Sequence, residues 1–153
     1  MIEIRTATVA DAKPLAELRW TFRNTQQPAT EAHDVFVRRC ATWMRRELQI
    51  GSAWKVWVAI DKHNIVGQVW LHTMQKMPNP VGEPERLAYL SNLYVEAASR
   101  GGTGTRLLEA ALDWCRSQQV DRVVLWPSRR SVTLYLSHGF SQAGDVMELK
   151  VRS

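Results

Sequence analysis

The sequence predicts an α/β domain of three layers, a single central sheet with helices on both faces. Three observations predict it. Apolar spacing switches repeatedly between the alternating period of strands and the 3–4 period of helices. Glycine, proline or short polar turns punctuate most of those switches. The 153 residues carry no internal repeat and no linker-like stretch, so residues 1–153 read as one domain around one core.

Ile2, Ile4 and Ala7 alternate around Glu3–Thr6 and predict a short first strand. Thr8 or Asp11 caps a helix with Leu15, Leu18 and Phe22 on its buried stripe, and Pro14 favours Asp11 because proline suits only a first turn. The segment 24–30 has no periodicity and reads as a loop. A second helix begins near Thr30, His33 and Asp34, keeps Phe36, Cys40, Trp43, Met44 and Leu48 in helical spacing, and stops at Gly51. Trp54, Val56, Val58 and Ile60 then alternate, Asp61–Asn64 turns, and Ile65–Met74 returns as the second arm of a β-hairpin.

Met77–Pro84 holds three prolines and reads as an exposed loop. Leu87–Val95 is apolar on both faces, as a central strand would be. Thr103–Gln118 predicts a strong helix with Leu107, Leu108, Ala111, Leu112 and Cys115 on one side. Arg122–Trp126 predicts a buried strand stopped by Pro127, Ser131–Ser137 a short helix closed by Gly139, and Val146–Val151 a last strand. The total is six strands and four helices.

Composition narrows the function classes. The chain is 45% hydrophobic and 23% charged, and no run approaches the ~20 apolar residues of a membrane span. Met1-Ile-Glu-Ile-Arg5 has neither a basic leader nor an apolar signal core, so the expectation is a cytoplasmic protein without a membrane partner. Cys40 and Cys115 have no zinc or redox spacing and read as buried free thiols, and the four histidines are scattered, so no metal is expected. The net charge of +5 is dispersed, with only short pairs such as Arg45-Arg46 and Arg129-Arg130. A polyphosphate ligand accounts for it as well as nucleic acid does, and no motif supports nucleic acid. The seven tryptophans are many for this length and read as core or pocket wall. Trp70, Trp126 and the Met77–Pro84 loop either wall an acceptor pocket or simply pack.

Chemistry concentrates in Leu90–Ala111, a strand, a glycine-rich turn with an arginine, and the start of an amphipathic helix. Glycines let backbone approach a ligand, and the first N–H groups of a helix lack internal partners. With Arg100, those donors suit phosphate. A tight strand-to-helix connection is the alternative reading of the same residues. No Gly-Lys-Ser/Thr follows, so this is not a P-loop, and the dinucleotide fingerprint is absent too.

Two motifs together carry a resemblance. One is the strand ending at Val95 followed by Arg100-Gly101, Gly102-Thr103-Gly104 and Leu107-Leu108; the other is Tyr135-x-x-x-Gly139-Phe140. With the order of elements from Ile2 to Val151, the chain resembles the GNAT superfamily of acetyl-CoA-dependent N-acyltransferases. The resemblance implies a central mixed, mostly antiparallel sheet of six to seven strands flanked by about four helices.

The resemblance also implies roles. The pantetheine arm of acetyl-CoA would lie along the backbone of Leu93, Tyr94 and Val95. The pyrophosphate would sit on the amides of Arg100, Gly101, Gly102, Thr103, Gly104 and Thr105. Tyr135 would be the general acid for the departing thiolate, although taken alone it reads as a core aromatic. The acceptor would be a primary amine of a small molecule or of a peptide or protein. Homodimers are common among proteins of this type, so a homodimer is an implied assembly.

Two departures stand out. The family's Arg/Gln-x-x-Gly-x-Gly is one residue short here, with Ser99 at the usual arginine position and Arg100 only two residues before Gly102, which implies a tighter loop. The family's asparagine, seven residues before the tyrosine, is Ser128, implying a weaker polar contact to the cosubstrate. Glu83, Glu85, Glu96 and His72 fall near the expected mouth, but no motif marks any of them as the base. A domain that binds acyl-CoA as a sensor without catalysis is the rival reading.

Overall fold

Trp54–Asp61 buries side chains on both of its faces. Val56 and Val58 pack with one set of helices while Trp57 and Ala59 pack with another, and all four are nearly inaccessible. Successive strand residues point to opposite faces, so only a sheet covered on both sides produces that pattern.

The computed structural model describes residues 1–142 and 144–152. Its elements run β1 (Glu3–Thr6), α1 (Ala12–Gln26), α2 (His33–Glu47), β2 (Trp54–Asp61), β3 (Asn64–Gln75), β4 (Arg86–Val95), α3 (Thr103–Ser117), β5 (Arg122–Val124) and α4 (Val132–Ser137). The strands form one sheet in the order β1-β2-β3-β4-β5. The first three pairings are antiparallel, and β4 pairs with β5 in parallel. No helix among the described residues is long and apolar enough to cross a membrane.

Each face has its own core. On one side α1 and α2 press Leu15, Ala16, Val37, Ala41 and Met44 against Val56, Val58 and Trp70. On the other, Leu107, Leu108, Ala111 and Cys115 of α3 pack on Val69, Leu71, Leu90 and Val95, with Tyr135 of α4 in the same cluster. The first helix begins after Asp11, as Pro14 requires. The Asp11 carboxylate accepts from the Thr8 backbone N–H (2.7 Å) and from both terminal nitrogens of Arg5 (2.8 and 3.0 Å), which ties β1 to the helix start. These contacts hold the Asp11 carboxyl below its ordinary pKa, the Arg5 hydrogen bond being the largest cause.

One polar side chain sits inside the α1/α2 face. Gln68 is fully buried; its amide nitrogen donates to the Leu15 carbonyl (3.0 Å) and its oxygen accepts from the Trp70 indole N–H (2.7 Å). Buried polar groups need such partners, and here they fix α1 and a large aromatic against β3 at once. On the other face, Gly67 lies close against both β4 and α3. A β-carbon there would lie 3.0 Å from the Tyr94 carbonyl oxygen and 3.1 Å from side-chain carbons of Val95 and Leu107.

The expected hairpin forms as read, with Lys62 and His63 in left-handed turn conformations. Three expectations need correction. The sheet has five strands among the described residues, not six to seven. Val146–Val151 forms no strand; Val146, Met147, Leu149 and Val151 are exposed. Alternation supplies strand propensity but not a partner backbone. The neighbouring β5 is only three residues long and ends before Trp126-Pro127, where proline offers no N–H. An Arg122–Asp145 ion pair (3.7 Å) links β5 to the segment beyond α4 without forming a strand pairing. Finally, α1 extends to Gln26, into the segment read as loop.

Replacing Gln68 by Leu leaves the Trp70 N–H without its acceptor in the core. Chemical denaturation should show a loss of about 1–3 kcal/mol, with altered Trp fluorescence. Gly67→Ala should cost a similar ~1–3 kcal/mol through overpacking; an unchanged midpoint would contradict the close approach described.

Candidate functional site

Strand β4 pairs with β3 from Arg86 to Val95, yet meets β5 only at Leu87, Ala88 and Tyr89. From Leu90 to Val95 the edge of β4 away from β3 has no strand partner among the described residues. Backbone donors and acceptors there, apart from the Val95 carbonyl that Arg100 takes, are available to a ligand. The β3–β4 register also slips: Gln68 faces Tyr94 and Trp70 faces Ser91, so Val69 stands opposite both Asn92 and Leu93. Asn92 takes φ +59°, a bulge that re-aims the residues after it. Asparagine tolerates that left-handed conformation better than most residues.

This free edge runs into the glycine turn. A 3₁₀ turn at Ala97–Ser99 leads to Gly101 and Gly102, with φ of +112° and +98°, values that strain any side chain bearing a β-carbon. Open space surrounds both glycines. Gly102 precedes α3, whose first N–H groups, starting with Thr103, Gly104 and Thr105, have no intrahelical acceptor. The Thr103 hydroxyl donates to the Ser99 carbonyl (2.8 Å) and closes the turn. Arg100 folds back along the strand: its Nε donates to the Val95 carbonyl (3.0 Å), and its guanidinium lies 5.9 Å from the Tyr94 ring centre. The shortened motif thus places a cation at the junction of strand and turn.

Tyr135 is 7% exposed, lies edge-on to Phe140 (5.4 Å between ring centres), and shares its cluster with Leu90 and Val95, with Leu93 packed alongside. Burial pushes its phenol up to about 12. The ordinary value near 10 expected for a phenol therefore does not hold here, and Tyr135 stays protonated throughout the physiological range. The Ser128 hydroxyl lies 2.9 Å from that of Ser131, and the Ser131 O–H donates to the Ser128 carbonyl (3.0 Å), a local turn leading into α4.

A cavity of about 840 Å³ opens on the α1/α2 side of the same strand. Its aromatic wall is Phe36, Trp43, Trp54, Trp70 and Tyr89, and it reaches Ser91 and Asn92 at the bulge. Of the stripe read on α2, Met44 is buried against the sheet and also borders the cavity, whereas Phe36, Cys40 and Trp43 are only partly buried and line it; Val37 and Ala41, outside that stripe, complete the buried face. Cys40 is therefore half-buried in the cavity wall and not a core thiol, while Cys115 is buried as expected; burial raises both thiols above their ordinary pKa. Trp70 walls the cavity. Trp126 does not: it is mostly exposed, with its ring edge toward Tyr89. Residues 77–84 do not line it either.

Of the acidic candidates, Glu83 and Glu85 accept hydrogen bonds from Asn79 within the loop before β4. The ring of His72 lies edge-on to Trp54 (4.8 Å). Among the described residues no three His, Cys, Asp or Glu side chains gather as a metal site. Asn92 and Arg19, which lines the cavity and donates to the Asn92 side chain (3.2 Å), were not singled out in the sequence. A polar Ser-Asn pair inside an apolar strand was the available signal for the bulge.

The chain belongs to the acetyltransferase (GNAT) family, whose family model matches residues 15–140. Among solved structures it resembles a predicted acetyltransferase from Clostridium acetobutylicum determined with acetyl-CoA, at 20% identity and TM-score 0.78 over 99% of this chain and 97% of that one. A GCN5-related N-acetyltransferase from Ralstonia eutropha JMP134 matches at 18% identity and TM-score 0.76, over 99% of this chain and all of the other. Glucosamine-6-phosphate N-acetyltransferase from Arabidopsis thaliana matches at 18% identity and TM-score 0.71, over 99% of each chain. No curated protein matches the sequence.

The buried phenol has a measurable signature. Unfolding exposes Tyr135, which then ionises near pH 10, whereas the folded form holds its proton to about 12. Its contribution is complete below pH 10 and falls away between 10 and 12. Over that window the wild type should lose on the order of 1–3 kcal/mol relative to Tyr135→Phe, read by urea denaturation at each pH. Parallel pH curves for the two proteins would contradict a buried phenol.

Proposed function

We propose that the protein is a single-domain N-acetyltransferase that moves an acetyl group from acetyl-CoA directly to a primary amine of a small molecule or peptide. One observation carries the reading: an unpaired strand edge that leads into a left-handed glycine turn at a helix N-terminus. The edge suits an amide-bearing pantetheine arm, and the turn suits a pyrophosphate. The open space around Gly101 and Gly102 is consistent with such a cosubstrate.

In this reading the backbone of Leu93, Tyr94 and Val95 binds the pantetheine amides. The amides of Arg100, Gly101, Gly102, Thr103, Gly104 and Thr105 receive the phosphates, aided by the dipole of α3 and the Arg100 charge. Ser128 offers a hydroxyl from the turn before α4. The thioester supplies the acetyl group. As the acceptor nitrogen bonds to its carbonyl carbon, the carbon–sulfur bond breaks and the Tyr135 hydroxyl gives its proton to the leaving sulfur. Burial makes this phenol a weaker acid, but desolvation raises a thiolate's proton affinity in the same direction, so the two remain matched. No side chain is assigned as base; the acceptor loses its proton to water.

Saturating acetyl-CoA should stabilise the fold. At one hundred times Kd the gain is about 2.7 kcal/mol, a rise in Tm of about 5–10 °C for a chain of this size. Gly102→Glu, which adds both strain and a negative charge to the turn, should abolish that rise; a persisting shift would rule the turn out as the phosphate site. Tyr135→Phe should lower kcat by about 10²–10⁴ while leaving the thermal shift intact. If acetyl-CoA binds and no amine releases free thiol in either protein, the domain is a non-catalytic sensor.

A further inference from the structure

The cavity beside β4 has a one-sided charge. Arg19, Arg38, Arg39 and Arg46 line it, and no aspartate or glutamate is among its lining residues. Two of these guanidiniums are already neutralised from outside the cavity, Arg39 by Glu31 and Arg46 by Glu47. Arg19 and Arg38 have no carboxylate partner among the described residues. Arg19 stands apart because it is only partly exposed; among the described residues its side chain donates one hydrogen bond, to the Asn92 amide oxygen, and Phe22 lies 6.0 Å away. Burial and the nearby Arg23 both press its pKa down, so its charge is held at a cost that no protein carboxylate offsets.

An arginine held in this way is a preorganised partner for an anion, because its planar donors match carboxylate and phosphate oxygens in pairs. Its position limits where that anion lies. Asn92, the residue it touches, directly precedes Leu93 on the free edge of β4. The aromatic wall of Phe36, Trp43, Trp54 and Trp70 continues from this point into the cavity. A ligand here has its charged group near the bulge and its apolar body against the tryptophans. A polycationic acceptor would meet like charge without a single lining carboxylate to balance it.

The geometry points to an acceptor that is itself anionic: an amine carrying a carboxylate or phosphate on an aromatic or bulky apolar body, anchored by Arg19. This deepens the acyltransferase reading and rests on it for the reaction, though binding of the acceptor does not. Cationic amines and lysine-rich peptides are correspondingly poor acceptors.

Matched pairs test the idea. Phenylalanine against phenethylamine reports on a carboxylate, and tyramine phosphate against tyramine reports on a phosphate. With acetyl-CoA and a free-thiol assay, the anionic member of at least one pair should exceed its neutral-headed partner by tenfold or more in kcat/KM. Which pair responds identifies the anion. Arg19→Gln should reduce that ratio to about twofold or less by raising KM for the anionic member. Because Arg19 is partly buried, each variant is first checked by its melting temperature. Arg38→Gln, on the exposed side of α2, should reduce the ratio two- to fivefold and supplies the test if Arg19→Gln does not fold. Calorimetry with CoA-bound protein separates the two readings: anionic amines that bind without turnover leave the acceptor class standing and overturn catalysis. Equal binding within each pair, binding of neither anionic amine, or a ratio untouched by both substitutions overturns the anionic acceptor.

Discussion

An inner strand of a sheet ordinarily satisfies its backbone on both edges, and β4 does so for only three residues. Beyond Tyr89 the β5 side has no strand partner, and at Asn92 the β3 side slips by one residue. The rest of the site depends on that double irregularity. Because β5 ends at Val124, the outer edge of β4 from Leu90 to Tyr94 has no strand partner among the described residues, and at Val95 only the Arg100 side chain bonds to it. Because the bulge absorbs one residue, the chain can leave β4 at Val95 and enter the glycine turn near Gly67, where a β-carbon would crowd both the strand and α3.

The two faces of the sheet serve the site differently. On the α3 side, tight aliphatic packing carries Tyr135 into the cluster that holds Leu90 and Val95, and the resulting dryness keeps its phenol protonated. On the α1/α2 side, packing is incomplete by design of the sequence: α2 gives its small and aliphatic residues to the sheet and its aromatic ones to a cavity. The Gln68 amide, bonded to both Leu15 and Trp70, holds that cavity's floor in place. The buried phenol and the aromatic cavity thus flank a single stretch, Ser91 to Val95, from opposite sides of the sheet.

Much of this arrangement was legible from residues near one another in the chain. The hairpin, the α3 stripe, the glycine turn and the Tyr135–Phe140 signature are local patterns, and the structure has the hairpin, helix and turn in the places read. The last strand was not. Met147, Leu149 and Val151 alternate as a strand would, but strands exist only as pairs, and β5 offers too short and too proline-limited an edge. The cavity was equally hidden. Arg19 and Asn92 are 73 residues apart, and no periodicity announces their contact. The spacing put Phe36, Cys40, Trp43, Met44 and Leu48 on one stripe of α2, but helical spacing shows which residues share a face and not which neighbour covers it.

By itself the sequence determined most of the alternation of elements, the resemblance to the family, and the glycine turn at a helix N-terminus, since each of these follows from short-range spacing and side-chain chemistry. Only the tertiary structure decided that the outer edge of β4 would lack a strand partner beyond Tyr89, that Arg100 would turn back onto Val95, that burial would raise the Tyr135 phenol to about 12, and that arginines without lining carboxylates would face an aromatic cavity. Those outcomes depend on which distant surfaces exclude water from one another, and desolvation is a property of the assembled neighbourhood and not of any one residue.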